Sequence, residues 1–236
     1  MSRRTRLIVA LDTASRTQAQ HWADSLKNDV DAIKLGLEFT YACGLEAVKT
    51  ISEGHRLFLD LKLHDIPHTV ASGLSALAPL KPTLTTIHAS GGAEMIARSR
   101  EALEAAFPEQ TQRPKLLAVT VLTSMNAEGL LETGVNATPQ EQVLRLGKLA
   151  VQAGADGLIC SAHEIAPLRD ALGDDPILVV PGIRPAGSAA DDQKRIMTPV
   201  QAAEAGADWI VVGRPITKAA DPVLAARAIM EDLASV

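Results

Sequence analysis

Cysteine, aromatic side chains and long apolar runs are all scarce in this sequence. The two cysteines, Cys43 and Cys160, lie in separate apolar runs, which predicts buried thiols and excludes a disulfide framework or a zinc-type cysteine cluster. Aromatic residues make up only 3% of the 236 residues while 47% are hydrophobic, so the core must consist mainly of Leu, Val, Ile and Ala.

Membrane-spanning or targeting segments are not expected. No run approaches the roughly 18 apolar residues of a membrane span. The apolar run before Asp12 is shorter than the roughly 7–15 residues of a signal-peptide core. We therefore expect a cytoplasmic protein.

An excess of positive charge is also missing, and the net charge of −5 argues against non-specific binding of nucleic acid, which needs a basic surface.

Short, continuous apolar runs recur along the whole chain, and this pattern is typical of parallel strands buried on both faces. The runs are 6–12, 32–36, 57–62, 83–89, 115–122, 157–161, 177–183 and 209–215. Amphipathic stretches lie between them, such as Thr138 to Ala153, in which Pro139 suits the first turn of a helix and Gly154 its end.

The segment AGAD occurs at 153–156 and again at 205–208, each time before a predicted strand. Eight strands alternating with about eight helices predict an α/β fold, a (β/α)₈ TIM barrel forming a single domain over residues 1–236. A doubly wound open sheet is the alternative architecture. No break in composition divides the chain.

Ionisable and polar residues collect at the carboxyl ends of these strands, where TIM-barrel enzymes place their active sites. A purely structural barrel would not need them there, so the pattern favours an enzyme. The residues are Asp12, Lys34, Asp60, Lys62, His88, Thr123, Ser124, Ser161, Arg184 and Arg214.

The stretch DLKLHDIPHTV, residues 60–70, carries the densest group of charges. Asp60 and Lys62 are two apart on one strand and should face the barrel interior together, with Lys34 on the neighbouring strand and Asp65 just beyond the strand end. These four side chains have no net charge, which makes their burial tolerable. A buried ion network that only fixes the fold is one alternative, and a helix-capping role for Asp65 is another.

The histidines do not predict a metal site. His64 and His68 have the spacing of two ligands on one helix, but Pro67 should begin that helix and so separate them. A third ligand is not evident, and we expect no metal.

Two Gly-Arg elements follow the seventh and eighth strands, as Gly182-Ile183-Arg184 and Gly213-Arg214. The loops after these strands form the usual phosphate site of a TIM barrel, so a phosphorylated substrate is indicated. The segment 184–197 is longer than an ordinary loop and is a candidate lid, a tolerated surface insertion being the alternative.

Nearly the whole chain resembles the orotidine 5′-monophosphate decarboxylase family in its bacterial form. The motifs that carry the resemblance are VALD at 9–12, IKLG at 33–36, DLKLHDIPHTV at 60–70, VTVLTSM at 119–125, PGIRP with DQKRIMTP, and VVGRPIT. The resemblance implies a cofactor-independent carboxy-lyase of pyrimidine biosynthesis that binds a small nucleotide, and a homodimer with a shared active site.

The resemblance also implies residue roles. Lys62 would be the proton donor to C6 of the pyrimidine, in a charge network with Lys34, Asp60 and Asp65. The implied substrate-binding residues are Asp12 and Thr69 at the ribose, Thr123 and Ser124 near the base, and Arg184, Gln193, Gly213 and Arg214 at the phosphate. Ile66 is a further implied substrate-binding residue. Asp65 and Thr69 would come from the partner subunit.

Three other activities remain open on the residues alone. A related barrel decarboxylase of sugar phosphates, such as 3-keto-L-gulonate 6-phosphate decarboxylase, shares the D-x-K-x-x-D pattern and needs Mg²⁺. A Schiff-base lyase could use Lys34 or Lys62. A barrel that binds a phosphate or nucleotide without catalysis would leave the Lys-Asp-Lys-Asp set unexplained.

Overall fold

A computed structural model describes residues 4–185 and 197–236 and contains eight parallel strands closed into a barrel in chain order. The first and last strands pair with each other, through Arg6 beside Trp209 and Val9 beside Val212. The predicted TIM barrel is therefore confirmed, and the open sheet is excluded. The strands are β1 Arg6–Ala10, β2 Ala32–Gly36, β3 Leu57–Leu63, β4 Leu84–His88, β5 Lys115–Val119, β6 Gly157–Ile159, β7 Ile177–Val180 and β8 Trp209–Val212.

Helices follow the strands and form the outer layer. They are α1 Arg16–Leu26, α2 Leu37–Ser52, α3 Pro67–Leu77, α4 Gly92–Ala106, α5 Ala127–Glu132, α6 Pro139–Gln152, α7 Ile165–Leu172, α8 Pro199–Glu204, α9 Arg214–Thr217 and α10 Pro222–Ala234. Their ends follow the sequence signals: Thr138 caps α6 and Thr198 caps α8, each with proline in the first turn.

The core has two layers. An outer layer of aliphatic side chains lies between the strands and the helices, and the half-buried Leu61 and Leu63 pack against it. A smaller group fills the barrel interior, with Phe58 and Trp209 as its largest members. This interior packing supports the residues at the open mouth of the barrel.

The AGAD repeat has a structural role at the opposite, amino-terminal end of the strands. Asp156 accepts the backbone N–H of Leu116 at 2.9 Å, and Asp208 accepts that of Leu178 at 2.8 Å. Asp31, which precedes β2, binds the N–H of Leu7 at 2.9 Å in the same way. Each aspartate thus satisfies a backbone donor at the start of the preceding strand.

Both cysteines are free thiols: Cys160 is buried, but Cys43 is only half-buried and contacts the carbonyl of Ala14 at 3.3 Å. The prediction of two buried thiols is therefore wrong for Cys43, because it packs at the edge of the core, beside the loop that carries Ala14, and stays partly exposed. Among the helices of the described segments, none is long and apolar enough to cross a membrane.

Candidate active site

A cavity of about 260 Å³ opens at the carboxyl ends of the strands. One side of the cavity carries lysine and aspartate side chains, which we call the charged side. Two arginines also line the cavity, together with apolar side chains. Its lining residues include Asp12, Lys34, Asp60, Lys62, Thr123, Gly182, Arg184, Gly213 and Arg214, together with Val119, Val121, Leu122, Ile159 and Val211. The sequence predicted such a site at this end of the barrel.

The charged side is a row of alternating charges. Lys62 Nζ lies 2.8 Å from Asp60 Oδ2, and Lys34 Nζ lies 3.7 Å from the same oxygen. Lys34 Nζ also donates to Asp12 Oδ1 at 2.9 Å. Asp60 therefore sits between two ammonium groups, and Asp12 supplies the second carboxylate of the row.

The charges set the ionisation of Asp60 and Lys34. Burial alone would raise the pKa of Asp60, but Lys34, Lys62 and the hydrogen bonds from Lys62 and Thr86 outweigh it and lower the pKa below 3.8. Burial would likewise lower the pKa of Lys34, yet Asp60 and Asp12 outweigh it and raise the pKa above 10.5. At neutral pH both groups are charged.

The strand that presents Lys62 is irregular. The pairing of β3 with β4 shifts register between Leu59 and Leu63, and Lys62 has a positive φ of 48°. A non-glycine residue in this region costs on the order of 1–3 kcal/mol and persists only where its surroundings hold it. Here the backbone N–H of Lys62 donates to Thr86 Oγ1 at 2.9 Å, and Thr86 donates to Asp60 Oδ1 at 3.0 Å.

The arginines face the charged row from β7 and β8. Arg184 is buried in the loop after β7, and Arg214 is half-buried at the start of α9. Gly182 has a φ of 82°, a left-handed conformation that favours glycine and shapes the turn before Arg184. Arg184 N bonds the carbonyl of Met197 at 3.0 Å, so the two ends of the long loop meet beside the cavity. Gln193 and most of the candidate lid, residues 186–196, lie outside the described residues.

Four of the residues implied by the family resemblance lie away from this cavity within the single chain. Asp65 and Ile66 are exposed at the β3–α3 connection, Thr69 is exposed in the first turn of α3, and Ser124 is exposed in the turn after Thr123. Asp65 Oδ1 accepts the N–H of Ile66 at 2.7 Å, while the residue before α3 is Ile66, so Asp65 does not cap the helix. The cavity wall of the described chain contains none of these four.

Sequence reasoning missed Thr86 and Gly36. Thr86 is fully buried, and its spacing of two from His88 is the signal that both face the barrel interior. Gly36 leaves space for the lysine: a Cβ there would lie 3.2 Å from Lys34 Nζ. No local pattern distinguishes that glycine from one needed for a turn.

The histidines near the site form a ring contact. The centroids of His64 and His88 are 5.3 Å apart, and His68 lies on α3, as Pro67 predicted. Burial, followed by the charges of His64 and Lys62, lowers the pKa of His88, which disfavours a further cation beside Lys62. Within the described parts of the chain, no group of three or more His, Cys, Asp or Glu side chains is arranged to hold a metal ion.

Known proteins resemble this chain over its whole length. A family model described as the orotidine 5′-phosphate decarboxylase / HUMPS family matches residues 5–229. The orotidine 5′-phosphate decarboxylase of Gluconobacter oxydans (strain 621H) is 88% identical over 235 residues and covers 100% of both chains. That of Opitutus terrae is 50% identical, covering 97% of this chain and 98% of the relative.

A solved structure agrees with these sequence matches. The crystal structure of orotidine 5′-phosphate decarboxylase from Lactobacillus acidophilus superimposes with a TM-score of 0.87 at 43% identity, over 97% of this chain and 99% of the other. The chain belongs to the orotidine 5′-phosphate decarboxylase / HUMPS family.

Proposed function

We propose that this enzyme, a carboxy-lyase, converts orotidine 5′-monophosphate to uridine 5′-monophosphate in pyrimidine biosynthesis, with Lys62 as the proton donor to C6. The observation that carries the proposal is the position of Lys62 Nζ, 2.8 Å from Asp60 and in the wall of a cavity that also contains Arg184 and Arg214. The curated relatives named above, one of them 88% identical, carry the same activity in their names.

The chemistry explains why a lysine is suited to this role. When the bond between C6 and the carboxylate breaks, CO₂ leaves and the electron pair stays on C6, where no adjacent carbonyl delocalises it. An ammonium at C6 stabilises this developing charge and then transfers a proton to it, which completes the product and leaves a neutral amine. Solvent returns the proton to Lys62 before the next turnover.

The neighbouring charges support a proton donor and disfavour a Schiff base. A Schiff-base lysine needs a neutral amine, whereas Asp60 and Asp12 raise the pKa of Lys34 despite its burial. Asp60 also bonds Lys62 directly and keeps its ammonium oriented into the cavity. The charged row therefore acts as an electrostatic network around one donor.

The remaining cavity residues fit a nucleotide with its phosphate far from C6. From the cavity wall we assign Asp12 to the ribose and Thr123 to the base. Thr69 at the ribose, Ser124 at the base and Ile66 as a further substrate-binding residue lie outside the cavity of their own chain. We assign the phosphate to Arg184, Gln193, Gly213 and Arg214, because guanidinium groups and backbone N–H groups bind anions well. Binding energy at the phosphate is then remote from the reacting carbon and can hold the base against Lys62.

We further propose that the active enzyme is a homodimer in which Asp65 and Thr69 enter the partner's site. Their support is their exposure: both lie outside the cavity of their own chain, yet they lie between the end of the strand that carries Asp60 and Lys62 and the first turn of the next helix. Side chains in that position can reach a second subunit without any change in the barrel.

The test is an ultraviolet assay of orotidine 5′-monophosphate with the wild type and Lys62→Ala, both in EDTA. We expect wild-type turnover and a fall in kcat of at least about 10²-fold in the variant, the usual contribution of a general acid. Lys115→Ala, which removes a half-exposed lysine at the amino-terminal end of β5, is the matched control and should keep full activity.

Each alternative has its own outcome in this assay. No turnover by folded wild type would refute the proposed reaction, and full activity of Lys62→Ala would refute the proton donor. Loss of activity in EDTA with rescue by Mg²⁺ would favour the sugar-phosphate decarboxylase chemistry. Trapping of a substrate adduct by borohydride would favour a Schiff-base lyase.

A further inference from the structure

Thr86 connects the two central residues of the site without touching the cavity. It lies on β4, is fully buried and is not part of the cavity wall. Its hydroxyl accepts the backbone N–H of Lys62 at 2.9 Å and donates to Asp60 Oδ1 at 3.0 Å. A hydroxyl has one proton, so these two bonds use it as acceptor from one partner and donor to the other.

The position of this bond coincides with the irregularity of β3. The ladder between β3 and β4 is interrupted between Leu59 and Leu63, and Lys62 adopts its positive φ of 48° within the interruption. The amide of Lys62 therefore bonds to a side chain at the place where a regular ladder would offer a backbone carbonyl. A β-bulge of this kind redirects a side chain, and it needs a partner for the displaced amide.

The bonds form a closed ring of three residues. The backbone of Lys62 binds Thr86, Thr86 binds one oxygen of Asp60, and the other oxygen of Asp60 binds Lys62 Nζ at 2.8 Å. The ring fixes both the backbone and the Nζ atom of Lys62 relative to the carboxylate of Asp60. Without the hydroxyl, the strained φ of Lys62 loses its support, and Asp60 is free to turn toward Lys34.

We propose that Thr86 is a positioning residue for the reaction, acting through its hydroxyl to hold Lys62 and Asp60 in one relative geometry. The proposal rests on the proposed function for its kinetic readout. The role of the hydroxyl can be separated from packing, because valine has nearly the same shape as threonine and lacks only the hydroxyl. Misplacing a catalytic group by about 1 Å can reduce a rate on the order of 10²-fold.

The test compares Thr86→Val, Thr86→Ser and Thr85→Val. Thr85 is the neighbouring buried residue of the same strand, 2% exposed, and its side chain points to the other face. We expect kcat to fall at least about 10-fold in Thr86→Val, to stay within about threefold of wild type in Thr86→Ser, and to be unchanged in Thr85→Val. KM should change much less than kcat in all three, because the arginines that bind the phosphate are untouched.

A crystal structure of Thr86→Val separates this proposal from the proposed function, since it needs no turnover. We expect Lys62 to leave the positive-φ region and the distance between Lys62 Nζ and Asp60 to change. Full kcat in folded Thr86→Val, an unchanged Lys62 backbone, or an equal loss in Thr86→Ser would each overturn the proposal. If Thr86→Val does not fold, Thr86→Ala against Thr86→Ser gives the same comparison of hydroxyl loss with hydroxyl retention.

Discussion

Asp60 is the residue on which the charged side of the site depends. It contacts two ammonium groups and one hydroxyl while 8% exposed, and an unpaired charge at that depth would be strongly destabilising. The sequence predicted a neutral set of Lys34, Asp60, Lys62 and Asp65. Within one chain the neutral set is instead completed by Asp12, which lies 2.9 Å from Lys34. A carboxylate from Asp65 of a second subunit would therefore be an addition to a row that is already balanced.

Arg214 gives the sharpest residue-scale test of the phosphate assignment. We expect Arg214→Ala to lower kcat/KM for orotidine 5′-monophosphate by roughly 10- to 150-fold, because a hydrogen bond to a charged group is worth about 1.5–3 kcal/mol. The slow reaction of orotidine, which has no phosphate, should change by less than about threefold. Steady-state kinetics with both substrates measures the difference.

Lys218→Ala is the control for Arg214→Ala, because Lys218 is an exposed cation directly after the same short helix. It should leave both substrates unaffected. Equal losses for the nucleotide and the nucleoside in Arg214→Ala would contradict a role at the phosphate, since they would indicate a general disturbance of the site.

Alternation along a strand was enough to place Asp60 and Lys62 on one face, but not to describe how Lys62 is held. The bulge and the positive φ depend on pairing with β4, which lies more than twenty residues further along the chain. Thr86 was missed for the same reason: its function depends on a partner strand, and TLTTIHA by itself reads as an ordinary buried strand. Asp12, in contrast, was found because it directly follows an apolar run.

At the scale of elements, the apolar runs located every strand but extended too far at several carboxyl ends. The run 6–12 contains the strand Arg6–Ala10, and the run 209–215 contains Trp209–Val212 followed by a helix that begins at Arg214. Past the last ladder hydrogen bond, some apolar residues wall the cavity, such as Val121, Leu122 and Cys160, and others, such as Leu11 and Ile183, pack in the outer core layer. At the carboxyl ends the apolar runs therefore extend beyond the hydrogen-bonded strands, and the cavity lies at these extensions.

The aspartates at the amino-terminal ends of the strands should affect stability and not catalysis. Asp208 binds Leu178 N at 2.8 Å and Arg169 at 2.7 Å, with both side chains mostly buried. Asp208→Ala leaves a backbone donor and a guanidinium without this acceptor, so we expect a loss of about 2–4 kcal/mol in the free energy of unfolding. Urea denaturation measures the loss, and kcat of the folded variant should change less than about twofold.

Asp175→Ala serves as the comparison, since Asp175 is exposed in the turn before β7, and its stability should match wild type. A fall in kcat of tenfold or more in folded Asp208→Ala would show that this end of the barrel communicates with the site. That result would contradict the division between a stabilising end and a catalytic end of the barrel.

For the molecule as a whole, one chain forms a closed barrel with a cavity at its mouth, and three of the proposed site residues lie on its surface. Asp65, Ile66 and Thr69 are exposed, with Ile66 66% exposed although it is apolar. The barrel could be predicted from local patterns because each βα unit repeats the same signals. The relation between two copies has no local signal, so the proposed dimer rests only on the family resemblance and on this exposed group.

Mixing two inactive variants tests the shared site. If Asp65 acts in the partner's site, a mixed dimer of Lys62→Ala and Asp65→Ala has one site lacking both residues and one site lacking neither. Random pairing of equal amounts gives about half of the dimers in mixed form, so about a quarter of wild-type activity should return. The assay is the ultraviolet assay after the two proteins are unfolded and refolded together, with each variant refolded alone as the control. If the mixture stays as inactive as its components while size-exclusion chromatography shows dimers, Asp65 serves its own chain and the proposal of a shared site is wrong.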